Sequence, residues 1–284
     1  MVKQDFVFYN IVDDKFFNYA MVSLYTFYKY NDFPFYLFYT NLNLEHREKL
    51  LSLSDRVRVI KIKKSEGLVN CIRYHDISYI ENISNNFFKC YDLVKNLNPN
   101  SYIVRLDLDS IWFRKFEFIF DDNFDVAMPL EITDVRINEK DYKGLKFNYC
   151  NFGSCVFNKN IFNLDSKYQK FLLNNYNDKF DYYADQDFAN YLKVQIISSD
   201  IFTTAISKNI PYNPTFIHYL GPYKPDSKDQ CYNNIFIANS YFKYFKIAKE
   251  LNLNKEFIEN IRKRYLFYVK NVTECKKLYK EFYE

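Results

Sequence analysis

Within this 284-residue chain, the segment Arg105-Leu106-Asp107-Leu108-Asp109-Ser110 points most strongly to chemistry. Two carboxylates spaced two residues apart at the end of an apolar run share one face of an extended backbone. Side by side they repel each other unless a cation neutralises them. All-oxygen ligation suits Mg2+ or Mn2+, which complete their shells with phosphate oxygens. Taken alone, the pair reads more readily as two solvated turn carboxylates after a strand. Three further segments bear on it. In Asn151-Phe152-Gly153-Ser154, one of only four glycines stands just before a strand, where it permits a left-handed turn or the close approach of a ligand. In Asp185-Gln186-Asp187 two carboxylates flank an amide, although a helix N-terminus also favours Asp. In the segment from His218 to Pro225, one of three histidines is followed by Gly221 and Lys224. A Gly-Pro turn with a nearby Lys suits a phosphate cradle, and the imidazole suits a metal, although on its own His218 reads as structural.

The elements that must position these residues alternate clearly in the first half. Strand-length apolar runs fall at Phe6–Val12, Phe35–Tyr39, Val57–Ile62 and Tyr102–Leu108. Helical spacing covers Phe16–Tyr30, about Leu44–Leu53 and about Asn86–Asn96. Strand–helix–strand order with short connections predicts an α/β fold, a mainly parallel sheet covered by helices on both faces. Later strands are expected at Asp125–Pro129, Ser154–Asn158 and Gln195–Ser198. The last forty residues read as helical, with Ala248, Leu251, Phe257, Ile261, Tyr265 and Tyr268 marking an apolar face. Ligands in such sheets bind beyond the carboxyl ends of the strands.

Composition narrows the function classes. Hydrophobic residues at 48% and charged residues at 26% describe a folded chain without long disorder. A net charge of +4, from 39 basic and 35 acidic residues, is too balanced for a dedicated nucleic-acid binder. No run approaches the roughly 18 apolar residues of a membrane span, and the opening MVKQDFVFYN has no signal-peptide core. Six cysteines without a CxxC pair read as reduced core thiols, so the expectation is a cytoplasmic protein. Residues 241–284 carry eleven Lys/Arg against six Asp/Glu, interleaved with aromatics such as Phe242 and Phe267. They read as closing helices with solvated lysines or as a peripheral membrane surface.

In their order and spacing, these segments resemble the nucleotide-sugar glycosyltransferases of family 8, the group of glycogenin and the bacterial lipopolysaccharide galactosyltransferases. The resemblance runs over residues 5–226: Asp13-Asp14 followed by an aromatic, then DxD, N-x-G, DQD and H-x-x-G-x-x-K-P. It implies a GT-A fold over residues 1–240, a Mn2+ or Mg2+ cofactor, a UDP-sugar donor and retention of anomeric configuration. The implied acceptor is a glycan, a glycolipid or a protein. Carried over position by position, Asp107, Asp109 and His218 would hold the metal, and Gly221 and Lys224 would contact phosphate. Asp13 and Phe16 would lie at the uracil, Asn151 and Asp185 at sugar hydroxyls, and Gln186 at the anomeric carbon. Four positions depart from the pattern. Phe16 stands where Tyr is usual, Lys89 where a phosphate-contacting Arg is common, Phe152 in place of a small residue, and Asp226 where Trp is frequent. Phe152 is expected to alter sugar selectivity.

An amide at position 186 is a poor nucleophile, so front-face attack is the expected route, with Asp185 as covalent nucleophile the alternative. Two other functions fit less well. Nucleotidyltransferases and sugar-phosphate pyrophosphorylases usually carry a Gly-rich N-terminal phosphate loop, and residues 1–20 contain no Gly. A non-catalytic UDP-sugar binding domain would not need intact metal and phosphate positions. A dinucleotide oxidoreductase is excluded, because no G-x-G-x-x-G follows the first strand.

Overall fold

Strand β1 (Phe6–Ile11) is buried along its whole length, the behaviour of an interior strand covered on both faces. A computed structural model describes residues 4–63, 86–120, 122–129, 150–175, 184–198, 201–204, 214–219, 224–226 and 235–271. After β1 come α1 (Phe17–Tyr30), β2 (Phe35–Tyr39), α2 (Leu44–Leu51), β3 (Val57–Lys61), α3 (Phe87–Leu97), β4 (Tyr102–Leu106) and β5 (Ser110–Trp112). Then follow β6 (Val126–Pro129), β7 (Ser154–Phe157), α4 (Leu164–Asn175), α5 (Ala184–Tyr191), β8 (Val194–Ile197), β9 (Phe202–Thr204) and β10 (Phe216–His218). Two helices close the described chain, α6 (Ile235–Glu250) and α7 (Lys255–Asn271).

Seven strands form one sheet in the order β3-β2-β1-β4-β7-β6-β8. All of its pairings are parallel except those of β7, which runs against both β4 and β6. The chain steps outward from β1 to β2 and β3, then returns to place β4 on the other side of β1. That reversal opens a crevice at the carboxyl ends of β1 and β4, where ligands of open α/β sheets bind. A three-stranded sheet, β5-β10-β9, lies beside it, with β5 and β10 antiparallel.

The two-residue period of β1 divides the core. Phe6 and Phe8 join a cluster built from α1, α6, α7 and the small sheet, whereas Val7, Tyr9 and Ile11 join one built from α3 and α4. The single Trp, Trp112, is fully buried and stacks on Phe216 at 5.0 Å between centroids, with Phe27 edge-on at 5.1 Å. Tyr241, Tyr244, Ala248, Phe257, Ile261 and Tyr268 enter the same cluster as Phe8, while Leu251 and Tyr265 are only partly covered. Lys243 is not simply solvated: its Nζ donates to the Trp112 carbonyl at 2.8 Å and lies 4.1 Å from the centre of the Phe113 ring. No helix among the described residues is long and apolar enough to cross a membrane. Residues 272–284 of the basic aromatic segment lie outside the described residues.

The seven strands expected from sequence agree with those of the large sheet to within a residue or two, whereas β5, β9 and β10 of the small sheet were not expected, and one boundary difference matters. The strand expected over Tyr102–Leu108 ends at Leu106, so Asp107 and Asp109 stand beyond the ladder. Their backbone is held instead by the neighbouring segments, with Asp107 N–H donating to the Gly153 carbonyl at 2.6 Å and Tyr219 N–H to the Asp109 carbonyl at 2.8 Å. The cysteines described, Cys90, Cys150 and Cys155, are buried free thiols, as expected.

The aromatic core has a consequence at alkaline pH. Burial pushes the phenols of Tyr9, Tyr91, Tyr219, Tyr241 and Tyr244 above their ordinary range. Unfolded phenols ionise near pH ~10, so above that pH the folded state binds more protons than the unfolded one. This contribution to stability is complete below pH ~10 and falls as pH rises beyond it. In an alkaline titration the absorbance of the buried tyrosinates at 295 nm should rise only together with loss of near-ultraviolet circular dichroism. Smooth ionisation of every tyrosine near pH 10 in a folded chain would contradict this burial.

Candidate functional site

The site is built where β4 ends. Antiparallel pairing of β10 with β5 sets His218 opposite Ser110, next to Asp109. The His218 Nε2 atom lies 3.2 Å from Asp109 Oδ1 and 3.4 Å from Asp107 Oδ2. One ligand atom from each of Asp107, Asp109 and His218 falls within 4.8 Å of the others. His218 and Asp109 are buried and Asp107 is half-buried, so the cluster forms a lined recess open on one side. Two carboxylates and an imidazole suit a divalent cation such as Mn2+. Two observations of the cluster favour that fit: the buried Nδ1 of His218 has no hydrogen-bond partner among the described residues, and a Cβ at Gly153 would fill the space beside His218 and Asp107.

Gly153 is required by close approach, the second of the two roles its sequence context allows. A Cβ at this position would stand 2.1 Å from His218 Cε1, 2.6 Å from Nδ1 and 2.7 Å from Asp107 Oδ2. Its N–H is held by the Asn151 side-chain carbonyl at 2.9 Å. Helix α5 is tied to the same loop. The Asn190 amide bonds both the N–H and the carbonyl of Cys150, and Gln186 Oε1 accepts from Phe152 N–H at 3.3 Å.

Electrostatics are set by burial and by cations. Burial alone would raise the Asp109 carboxyl, but Lys224 and His218 outweigh it and hold the group well below the usual carboxylate range. Burial would depress His218, and the two carboxylates raise it instead. Burial pushes Asp185 up to about 6 against the pull of Arg105. The Asp185-Gln186-Asp187 run does form the first turn of α5, as its composition allows, yet all three side chains are at least nine-tenths buried.

Lys224 closes one side of the cluster. Its Nζ is 3.2 Å from Asp109 Oδ2 and lies over the rings of Phe16 (4.7 Å) and Tyr19 (5.6 Å). The Tyr19 hydroxyl donates to Asp226, which pins the 224–226 segment to α1. Asp13, after β1, accepts the Phe16 N–H at 2.9 Å and so shapes the turn into α1. Lys89 is half-buried in the first turn of α3 and forms no ion pair among the described residues. Gly221 lies outside them. The structure therefore brings Asp107, Asp109, His218, Lys224 and Phe16 together, with Asn151 and Gln186 on the adjoining loop and helix.

Two residues of the site were not singled out from sequence. Arg105 is buried and its Nη2 donates to Asp107 Oδ1 at 2.8 Å. Asn10 is buried as well and reaches the same oxygen at 3.4 Å and the Leu106 carbonyl. A polar residue inside an otherwise apolar strand is the signal that marks both. Phe152, expected to bear on sugar selectivity, has a clear packing place. Its ring is almost wholly buried, stacks on Phe88 at 5.6 Å and covers the Arg105 guanidinium at 4.2 Å, so it packs the core beside the recess.

No protein-family model matches this sequence, and no curated protein does. Solved structures do. The galactosyltransferase LgtC in complex with donor and acceptor sugar analogs is similar with a TM-score of 0.62 at 14% identity, covering 90% of this chain and 100% of that one. An active-site mutant of LgtC gives a TM-score of 0.63 at 15% identity, again over 90% of this chain and 100% of the other. The apo bifunctional glycosyltransferase WbbM is similar with a TM-score of 0.57 at 14% identity, over 93% of this chain and 52% of its own. The likeness establishes the fold, which is the GT-A glycosyltransferase fold.

Gly153→Ala tests the geometry of the recess. The added methyl forces the His218 ring or the Asp107 carboxylate to move, an overpacking that costs about 1–3 kcal/mol. Because the displaced groups are the candidate ligands, Mn2+ binding should weaken together with the thermal midpoint. Unchanged Mn2+ affinity would mean that the close approach does not seat the imidazole.

Proposed function

We propose that this chain is a metal-dependent, retaining glycosyltransferase that moves a hexose from a UDP-sugar to a glycan, lipid-linked or protein acceptor. UDP-glucose, UDP-galactose and UDP-GlcNAc are the candidate donors. The observation that carries this reading is the Asp107–Asp109–His218 cluster, its ligand atoms within 4.8 Å of one another at the crevice between β1 and β4. Support comes from the structural neighbours, which are glycosyltransferases, one of them solved with donor and acceptor sugar analogs.

Asp107, Asp109 and His218 would hold Mn2+ or Mg2+. When bound, the ion supplies Lewis-acid neutralisation of the leaving diphosphate. Lys224 adds a second positive charge at the rim and would pair with a phosphate oxygen as charge builds on it. Asp13 and Phe16, at the start of α1, would receive the uracil, the carboxylate accepting from the base N–H and the ring stacking on it. Asn151 and Asp185 would orient the sugar hydroxyls. In the transfer, the bond from the anomeric carbon to the diphosphate oxygen breaks and a bond to the acceptor oxygen forms on the same face. The acceptor proton passes to the departing phosphate oxygen. Gln186 would face the anomeric carbon as a neutral dipole. Burial pushes the Asp185 carboxyl up to about 6, which still leaves it mostly ionised at neutral pH, so the preference for the front-face route rests on the amide at Gln186.

A panel of nucleotide sugars with Mn2+, read as nucleotide released by hydrolysis without acceptor, tests the assignment. Release from at least one UDP-sugar is expected, and Asp109→Ala should abolish it while leaving the chain folded. Full turnover in EDTA, or wild-type turnover in Asp109→Ala, would overturn the reading.

Lys224 offers a finer test. Lys224→Ala should weaken UDP by about 1.5–3 kcal/mol, the worth of a charge-assisted contact, and uridine by much less. Equal losses for UDP and uridine would remove Lys224 from the diphosphate.

A further inference from the structure

A buried arginine one residue short of a carboxylate pair needs a reason, because an uncompensated charge in a core costs several kcal/mol. Arg105 is 3% exposed, and its two terminal nitrogens have partners, while its Nε has none among the described residues. Its Nη2 donates to Asp107 Oδ1 at 2.8 Å, and its Nη1 donates to the Phe152 backbone carbonyl. The guanidinium carbon lies 3.9 Å from the centre of the Phe87 ring and 4.2 Å from that of the Phe152 ring, two rings set nearly perpendicular to each other. Strand β4, the first turn of α3 and the loop before β7 therefore converge on one cation.

The consequence falls on Asp107. Asn10 and Arg105 both reach Oδ1, at 3.4 Å and 2.8 Å, which fixes the carboxylate rotamer. Oδ2 is left facing His218 Nε2 at 3.4 Å and the face of Gly153. We infer that Arg105 is a positioning residue for Asp107: its fork consumes one carboxylate oxygen so that the other is presented to the cation. The affinity of the site for a divalent ion then depends on a guanidinium buried in the core beside it, and on Phe152, which seats that guanidinium. The inference rests on the metal-dependent reading above and deepens it.

Lysine cannot replace this arrangement. One ammonium keeps the charge but cannot span the Asp107 carboxylate and the Phe152 carbonyl while also lying against both rings. Residues that orient a metal ligand typically contribute 10- to 100-fold to metal affinity.

The experiment titrates Mn2+ into the full chain without nucleotide and follows loss of the free-ion electron paramagnetic resonance signal. Arg105→Lys is expected to bind Mn2+ about 10- to 100-fold more weakly than wild type. Because the defect lies in cation affinity, saturating Mn2+ should restore nucleotide release in this variant. Phe152→Leu keeps apolar packing and removes one ring, so a two- to fivefold loss of affinity is expected, about the worth of one cation–π contact. That variant carries the test if Arg105→Lys does not fold. Wild-type Mn2+ affinity in either folded variant overturns the inference, as does a loss of turnover that saturating Mn2+ leaves unrepaired. Absence of Mn2+ binding in wild type is a different result and overturns the metal-dependent reading itself.

Discussion

Asp107, Asp109 and Asp185 gather in one largely buried corner, and their mutual repulsion must be balanced there or the corner cannot form. Two fixed cations meet most of that requirement. Arg105 pairs with Asp107 from inside the core, and Lys224 pairs with Asp109 from the rim. With His218 neutral, one negative charge among these groups stays uncompensated. A residual negative charge beside an imidazole attracts a divalent ion. Once such an ion is present the corner becomes net positive, the sign a diphosphate requires. The same bookkeeping explains the absence of a fully apolar lining: each charged group is needed by another.

The topology then follows from where that corner must sit. Reversal of strand order at β1 and β4 opens the crevice, but three other connections furnish it. The antiparallel β5–β10 pair returns the chain so that His218 meets Asp109. Reversed β7 sets Cys155 opposite Arg105 and delivers the 150–153 loop to the end of β4. The amide bonds from Asn190 and Gln186 hold the start of α5 to that loop, which is why Asp185 is buried. Without β7, β4 would be a sheet edge and Arg105 would lose the Phe152 carbonyl and ring.

Much of this could be read from residue types. β1, α1, β2, β3 and α3 announced themselves by periodicity, and Asp107 and Asp109 stood out by their spacing. His218 joined them as a ligand only through the resemblance to family 8, since on its own it reads as structural. Arg105 was not legible, since one charge at a strand end reads as solvent-facing until the strand's neighbours are known. Register decides the matter, and register is a long-range property that local pattern does not carry. The packing of Phe152 was not legible for the same reason. A bulky residue in place of a small one suggests altered sugar selectivity, and only the positions of Phe88 and Arg105 show that its ring packs in the core. The end of β4 at Leu106 likewise depends on the Gly153 carbonyl and the Tyr219 N–H, groups far along the chain.

The positions at which this chain departs from the family 8 pattern are not scattered. Phe152 lies against Arg105, so the bulkier residue comes with a buried cation for it to cover. Asp226 accepts the Tyr19 hydroxyl, so a carboxylate stands in the segment after Lys224 with a donor on α1 to meet it. Phe16 lacks a hydroxyl, and its ring faces the Lys224 ammonium, for which the aromatic face and not a phenol is the useful surface. Three of the four departures are thus one half of a contact, and each contact bears on a charged group of the candidate site.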